Sequence, residues 1–552
     1  MTALLAPEWA GFLLPLALAF PWLLLLAVPA AARAPVRALL PFAPLPALLA
    51  ALLVPDGTHL SLPGMAAGAG FAMDATARAF LVPTALVWAL AGWAAAALPP
   101  GHARSGPFRT LWLLTLAGNL AVVLAADLLS FYTGLAVMTF AAAGLVLFTR
   151  SSAALAAGRR YLAMMMAGEV ALFVAVAALA AGAPSGVALT FEQVAASGSG
   201  VVLLLLGLAF GIKLGVLGLH AWLPPAHAAA PAPASAVLSG VIIKTGLLGW
   251  LRLAEPGPLP VPEFLPGALA LLGLSATVYG VLRGLASSDP KRLLAWSSVS
   301  QMGLATILAG LALQPGGAPP AVLAAIAIFV LHHALSKAAL FLGVGLLHGA
   351  AERPRRWIWG TLWLPALALA AAPGTSGALA KSAMDLAIAG TAPAPCLAPG
   401  LHVTGFVTML LMLRLMWLTR PVATAAHAPH AGDAASWRGW PLVLLAVAAL
   451  PWVVFADSAA AASSLRPAAL GTAALPVLLA LALAWWLRPE TLHLPRRHLP
   501  VAGVVAGILA RLPSPARLAS WERHLRAWSM VGRLVVIVSA ALALALWRPV
   551  AG

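Results

Sequence analysis

The chain has 552 residues, of which 62% are hydrophobic and only 9% charged. Soluble domains carry roughly 25% charged residues, so this composition excludes a soluble globular protein and predicts a polytopic membrane protein. A net charge of +17 would indicate a nucleic-acid partner in a soluble domain. Here the arginines stand in short loops between apolar runs, as the positive-inside bias requires, and we expect no nucleic-acid partner.

Apolar runs long enough to cross a bilayer recur along the chain and predict about 16 spans. They lie near 11–31, 36–54, 79–98, 109–126, 128–149, 160–182, 199–222, 231–253, 265–286, 293–313, 319–348, 358–391, 401–419, 439–456, 467–487 and 532–549. The first is expected to be a retained span, because its flank lacks the basic start of a signal peptide. Only Asp127 separates the fourth span from the fifth.

Loop charges alternate along these spans. Basic loops follow odd-numbered spans, namely Arg33/Arg37, Arg104/Arg109, Arg150/Arg159/Arg160, Arg283/Lys291/Arg292 and Arg353/Arg355/Arg356. Acidic residues follow even-numbered spans, namely Asp56, Asp74, Glu192, Glu263 and Asp457. The alternation predicts both termini on the non-cytoplasmic side, in what we expect to be a bacterial inner membrane.

Two of the long runs contain helix-breaking residues. The seventh ends in Trp222-Leu223-Pro224-Pro225, and the twelfth contains Pro373-Gly374-Thr375-Ser376-Gly377. Corresponding breaks in two halves suggest inverted repeats. We therefore predict an all-α membrane protein with two inverted five-helix repeats and two broken helices. Its divisions are N-terminal helices over 1–108, repeats over 109–253 and 265–420, and C-terminal helices over 439–552, with a basic, amphipathic surface segment or solvated connector near 495–531.

Charged residues stand inside several of these spans. Lys213, Lys244 and Glu169 lie mid-span, Lys381 follows the second break, and His333 and Lys337 share a face of the eleventh span because they are four residues apart. A lysine in hydrocarbon costs several kcal/mol, so it is rare and usually faces a partner or a wet cavity. A single lysine could be a structural ion-pair member or reach the membrane surface, but four together predict charge movement, and lysine and histidine suit protons.

Five further residues are secondary candidates for a proton path: His220, His227, His332, Asp385 and Asp127. His332 points away from the His333/Lys337 face and is expected to be a packing histidine. His227 is expected in a cytoplasmic loop, as a cap or as the start of the path. The single cysteine, Cys396, and the lack of CxxC, P-loop and GxGxxG patterns predict no iron–sulfur cluster, nucleotide, flavin or metal.

Four segments carry a family resemblance: Lys213–Arg252, Asp289–Ser298, His333–Phe341 and Pro373–Lys381. They resemble the antiporter-like, proton-translocating subunits of respiratory complex I, of formate-hydrogenlyase-type membrane hydrogenases, and of multisubunit cation/proton antiporters. The resemblance implies a core of about 14 helices built from two inverted repeats. It also implies that Lys213 is the central lysine of the first half-channel, Lys244 the connecting lysine, His333 and Lys337 parts of a central polar axis, and Lys381 the terminal lysine.

One position departs from the family pattern. The family places a glutamate in the fifth helix as the partner of the seventh-helix lysine, and Ala136 occupies that position here. Lys213 then needs another acid to hold its charge. Glu169, in the next helix, is the first candidate, and Asp127, nearer the membrane edge, is the second.

These observations favour a non-catalytic, proton-translocating subunit of a multisubunit membrane complex. Its partners would be other membrane subunits and a peripheral redox arm, such as a hydrogenase or quinone-reducing arm, and the chain itself would hold no cofactor. Two alternatives stay open. One is a non-pumping subunit that couples to a partner such as an inorganic-carbon uptake system, which Ala136 favours. The other is a cation/proton exchanger or a subunit of one.

Overall fold

The computed structural model describes ten segments of the chain: residues 7–27, 38–62, 69–97, 105–182, 188–257, 259–349, 352–389, 391, 394–421 and 439–486. The predicted sixteenth span at 532–549 and the predicted amphipathic segment near 495–531 lie outside the described residues. Ten helices within these segments are long and apolar enough to cross a membrane, and four shorter apolar helices accompany them.

The helices follow one another with short connections, because Pro, Gly and capping residues end each apolar run. Their bounds are α1 Pro7–Ala27, α2 Leu45–Leu53, α3 Ala75–Ala96, α4 Ser105–Leu124, α5 Leu128–Val146, α6 Ser152–Gly182, α7 Phe191–Ala196, α8 Gly200–Leu214, α9 Leu223–Ala229, α10 Ala232–Gly240, α11 Thr245–Ala254, α12 Phe264–Leu285, α13 Pro290–Ala312, α14 Pro320–Gly349, α15 Glu352–Thr361, α16 Trp363–Leu369, α17 Ser376–Ile388, α18 Ala394–Leu418, α19 Trp440–Val454, α20 Ala459–Ser464 and α21 Pro467–Trp486. Single turns of 3-10 helix lie at Leu40–Phe42 and Ile242–Lys244.

A small sheet adds to the helical architecture that the sequence predicts. Strands β1 (Thr58–Leu62) and β2 (Ala69–Met73) pair antiparallel, with Thr58 opposite Met73. The backbone amide of Gly70 donates to the Asp127 carboxylate at 2.6 Å, so the sheet is anchored to the start of α5. These short strands lie outside the membrane-length runs, which is why hydropathy did not indicate them.

The seventh, eighth and twelfth predicted spans are interrupted, and the sequence indicated two of these three interruptions. The seventh breaks at Gly215, whose φ of 75° ends α8, and resumes at α9. The twelfth breaks between α16 and α17, where Ala371 and Gly374 have positive φ. The eighth, predicted to be continuous, changes to a 3-10 turn ending at Lys244, and no Pro stands there to indicate it. The inverted repeats and the domain divisions stay predictions.

Glycines let neighbouring helices approach closely. In α12 and α13, Gly273 and Gly303 face each other so that a Cβ on Gly303 would overlap the Gly273 carbonyl oxygen. Van der Waals packing at small residues is the main force between helices in a membrane. The pair therefore fixes α13, which carries part of the site described below.

Replacing Gly303 with alanine should destabilise the protein by about 1–3 kcal/mol, because the added methyl group must push two backbones apart. The measurement is the thermal midpoint of the tryptophan fluorescence change in detergent. Gly471→Ala is the matched control, since no atom lies within 4 Å of its Cβ position. Equal midpoints for the two variants would contradict the close-packing account.

Candidate functional site

Lys213, Thr139 and Glu169 form the first polar centre. Lys213 lies in the last turn of α8, Thr139 in α5 and Glu169 in α6. The Lys213 Nζ donates to the Thr139 Oγ1 at 2.6 Å, and that hydroxyl donates to the Glu169 Oε1 at 2.7 Å. Lys213 is 3% exposed and Glu169 6%. A buried lysine and a buried glutamate are thus linked by one hydroxyl, which accepts one hydrogen bond and donates another.

The link between the two charges is indirect. The ion pairs of the described residues involve Arg78 and Arg252, and none of them joins Lys213 to Glu169. The second carboxylate oxygen of Glu169, Oε2, is buried without a hydrogen-bond partner. Such orphaned buried groups need an explanation, often an internal water. The carboxylate therefore has a free acceptor beside the chain of hydrogen bonds.

Thr139 was missed by sequence reasoning. It stands three residues after Ala136, so both lie on one face of α5. On the face of α5 where the family pattern places a glutamate, this chain has the Thr139 hydroxyl one turn after Ala136. The sequence signal was ambiguous, since Thr133 lies three residues before Ala136 and Thr139 three residues after it. The contact of Thr139 with Lys213 spans 74 residues of sequence.

Asp127, the second candidate acid, serves another role. Its carboxylate accepts from the Ser130 backbone amide at 2.7 Å, the Ser130 hydroxyl at 2.7 Å and the Gly70 amide at 2.6 Å. It caps α5 and confirms the predicted division between the fourth and fifth spans. Twelve residues separate it from Thr139, about 18 Å along a helix, so Asp127 as a partner for Lys213 was wrong.

The sequence predicted that Lys213 lies in the middle of a helix. The break in the seventh span instead places it in the last turn of α8. After Gly215 the chain returns through Trp222, whose indole Nε1 donates to the Ile212 carbonyl at 2.8 Å. The Ile212 carbonyl also accepts from the Gly215 amide at 3.1 Å, so Trp222 adds a second donor at the helix end. His220 turns back on its own loop, with its Nδ1 accepting from the Gly218 amide at 3.2 Å, and its ring lies between Tyr279 and Trp296.

Lys244 occupies the unpredicted break in the eighth span. Its Nζ donates to the Gly240 carbonyl and, at 3.5 Å, to the Ser239 carbonyl. These are the last carbonyls of α10, where the helix dipole favours a cation. The lysine thus stabilises the helix end that creates its own site, and it is 1% exposed.

His333 and Lys337, both fully buried in α14, lie next to this break. The Lys337 Nζ donates to the Leu294 carbonyl at 2.8 Å and to the Ser297 hydroxyl, both in α13. Neither ring nitrogen of His333 has a hydrogen-bond partner, and the ring stacks on Phe329 with centroids 5.4 Å apart. The charges of Lys244 and Lys337 both act on His333, so the three residues form one cluster.

Two histidines differ from their expected placement. His227, expected in a loop, lies in α9 and is fully buried, within electrostatic range of Lys337; the Pro-Pro pair that suggested a loop instead begins a short helix. His332 shares a 2.9 Å hydrogen bond with the Ser376 hydroxyl at the first residue of α17. It packs as predicted, but it also joins the cluster to the second broken span.

Lys381 and Asp385 lie one turn apart in α17 and interact electrostatically. Lys381 lines a cavity of about 40 Å³ that also contacts His332, Gln301 and Thr408. The described residues thus bring the candidates together in two groups. Lys213 and Glu169 form the first centre, and Lys244, His333 and Lys337 form the second. Lys381 lies next to the second group, on a cavity that it shares with His332. Within the described part of the chain, no group of three His, Cys, Asp or Glu residues could hold a metal.

A comparison with known protein families found a match in this chain. Residues 125–359 match the transmembrane domain described as NADH:quinone oxidoreductase/Mrp antiporter. These residues are therefore similar to the transmembrane domain of that family. The match contains Thr139, Glu169, Lys213, Lys244 and Lys337, and the predicted resemblance is confirmed.

Two curated relatives of this antiporter-like chain come from Escherichia coli strain K12. Hydrogenase-4 component B is 29% identical over 401 residues, covering 66% of this chain and 55% of that protein. NADH-quinone oxidoreductase subunit M is 40% identical over 185 residues, covering 32% of this chain and 35% of that protein. The antiporter-like chain thus spans about half or less of the length of these relatives.

The fold also matches a solved structure. A chain of the Mrp complex from Dietzia sp. DQ12-45-1b superposes with a TM-score of 0.66 at 21% identity, covering 85% of this chain and 99% of that one. At this identity the likeness establishes the fold alone. The antiporter-like chain is therefore a polytopic helical membrane protein, as its sequence predicts.

Proposed function

We propose that this chain is a proton-translocating, antiporter-like subunit of a multisubunit ion-motive complex in a bacterial inner membrane. The proposal rests on two groups of buried ionisable side chains. In the first, hydrogen bonds join Lys213, Thr139 and Glu169. The second is the cluster of Lys244, His333 and Lys337. Intramembrane ionisable residues of this kind mark proton relays. The E. coli relatives, components of a hydrogenase and of an NADH-quinone oxidoreductase by name, support a place in a larger complex.

Proton transfer in the first centre needs only small movements. A proton leaves the Lys213 ammonium for the Thr139 oxygen while the Thr139 hydroxyl proton passes to the Glu169 carboxylate. The products are a neutral amine, an intact hydroxyl and a carboxylic acid, so charge and protons balance. Because Coulomb attraction weakens with distance, the hydroxyl keeps the two charges near enough to interact but lets one proton shift neutralise both.

The central cluster works by repulsion. The charges of Lys244 and Lys337 act on His333, and that of Lys244 acts on Lys337. A like charge disfavours a neighbouring charged form. A proton that arrives on one member lowers the cost of losing a proton from another. Passage then continues to His332, which is bonded to Ser376, and to Lys381.

The chain supplies no electron-transfer group in this proposal, so redox chemistry, where the complex has it, belongs to its partners. Those partners are other membrane subunits and a peripheral arm. Both termini lie on the non-cytoplasmic side, as the loop-charge alternation suggests.

The test is proton movement by the native complex, purified through a tag on this chain and placed in liposomes with an internal pH dye and an imposed potassium diffusion potential. Lys244→Met should slow proton movement roughly tenfold, since a relay group is lost but neighbouring cluster members can partly share its role. Arg414→Met is the control, because that guanidinium lies over the Trp417 ring outside the cluster. Unchanged proton movement in an assembled Lys244→Met complex would refute the proposal.

A non-pumping coupling subunit is the second candidate, and Ala136 at the family's glutamate position favours it. In that case the native complex shows no proton movement, and mass spectrometry of the purified complex identifies a carbonic-anhydrase-like partner. A hydrogenase or quinone-reducing partner supports the first candidate, and purification without a partner supports a cation/proton exchanger.

A further inference from the structure

We propose that Asp385, together with hydroxyl groups of the C-terminal pair α20–α21, forms the outer proton-exchange site of the second half. This inference rests on the proposed function. It gives Asp385, a secondary candidate in the sequence, a specific role and adds hydroxyl groups of α20 and α21 that the sequence pattern does not assign to the path. The matched residues end at 359, whereas Asp385 and both helices lie beyond them.

Lys381 borders two separate cavities. One is the cavity of about 40 Å³ shared with His332, which we call the inner cavity. The other, which we call the outer cavity, measures about 180 Å³ and is lined by residues that include Lys381, Asp385, Ser382, Ser463, Ser464 and Thr472. The larger volume has room for several waters, and its polar lining offers them hydrogen-bond partners. Lys381 is thus the side chain that can reach from the inner space to the outer one.

The outer cavity is built to accept protons. The Ser464 and Thr472 hydroxyls donate to the Ala461 and Ala469 carbonyls at 2.9 Å each, so their oxygen lone pairs remain available as acceptors. Asp385 adds a carboxylate one turn beyond Lys381, and α17 packs against α20. An ammonium that enters this space therefore meets hydroxyl, water and carboxylate acceptors in succession.

The position of Asp385 is difficult to explain by packing alone. It is half-buried, and the salt bridges of the described residues do not include it. Lys381 and His402 act on it electrostatically. A carboxylate at membrane depth is costly unless it borders water or serves a charge path. The adjoining cavity has room for water, and Lys381 lies one turn away as a proton donor.

The first experiment tests the residue. In the native complex in liposomes, Asp385→Asn should slow proton movement roughly tenfold, and Asp385→Glu should retain most of it, because the carboxylate is kept. Lys213→Ala is measured in parallel. If Asp385→Asn moves protons at the wild-type rate while Lys213→Ala does not, this inference fails and the proposed function stands. If both move protons at the wild-type rate, the proposed function fails as well.

The second experiment tests the cavity and does not depend on folding of the Asp385 variants. The single cysteine is removed as Cys396→Ala, and Ser463→Cys is introduced at the cavity wall. A membrane-impermeant cationic thiol reagent should modify Ser463→Cys and slow proton movement at least roughly fivefold. Leu465→Cys, two residues further and 57% exposed, is the control whose modification should leave the rate unchanged. Modification of Ser463→Cys without loss of the proton-movement rate would show that the outer cavity is not a proton-exchange site. Failure of the reagent to react with Ser463→Cys would show the same.

Discussion

Replacing Lys213 with alanine abolishes proton movement by the native complex, with an expected loss of roughly a hundredfold or more. The reason is that Lys213 is the cation of the first centre, hydrogen-bonded to Thr139 and through it to Glu169. Removal leaves a buried carboxylate with a hydroxyl donor but no proton source beside it. The loss should exceed that of Lys244→Met, because Lys244 stands among other titratable neighbours. The measurement is the initial rate of internal pH change in liposomes under a potassium diffusion potential.

Lys213→Arg separates a relay role from a structural one. Arginine keeps the positive charge and can still donate to Thr139, but its guanidinium stays protonated. Assembly, measured by native electrophoresis, should match wild type, while proton movement stays as low as in Lys213→Ala. Wild-type proton movement in Lys213→Arg would mean that Lys213 only holds charge, and the relay through it would be abandoned.

Replacing Thr139 with valine lowers proton movement roughly tenfold or more, although valine matches threonine in shape. Valine cannot accept from Lys213 or donate to Glu169, so the two buried charges lose their bridge. Unpaired buried groups cost about 1–3 kcal/mol each, and the thermal midpoint should fall as well. Thr139→Ser, which keeps the hydroxyl, should retain most of the rate.

Thr133→Val is the matched control for this prediction. Thr133 lies in the same helix but is exposed, and its hydroxyl donates to the Leu129 carbonyl rather than to a charged group. The rate of proton movement by the Thr133→Val complex should equal that of wild type. Equal rates for Thr139→Val and Thr133→Val would show that protons bypass the hydroxyl, and Glu169 would then act through another route.

The sequence predicted which residues carry charge in the membrane, because lysines in apolar runs are costly whatever the fold. It also predicted the interruption of the twelfth span, since Pro373 and Gly374 disfavour a continuous helix. The bounds of the seventh-span break were less accurate. Its Pro-Pro pair drew attention to Trp222–Pro225, whereas the left-handed Gly215 ends the helix seven residues earlier.

The break at Lys244 could not be found locally. Val241, Ile242 and Ile243 precede it, and nothing in that apolar stretch marks a change to a 3-10 turn. The turn is stabilised by the lysine itself, which bonds to the Gly240 carbonyl. Whether a lysine bends back onto its own helix or reaches a neighbour depends on the space around it, and that space is a property of the packed helices.

Three features followed from the amino-acid sequence alone, since each depends on composition or on local spacing: the membrane class, the recurrence of apolar spans and the lysines within them. The family resemblance came from the motif segments. Which side chain meets Lys213 was decided only by tertiary structure. Ala136, Thr139, Asp127 and Glu169 were all within plausible reach in sequence terms. Their real distances depend on how α5, α6 and α8 rotate and tilt against one another, and that packing brings a hydroxyl between the lysine and the glutamate.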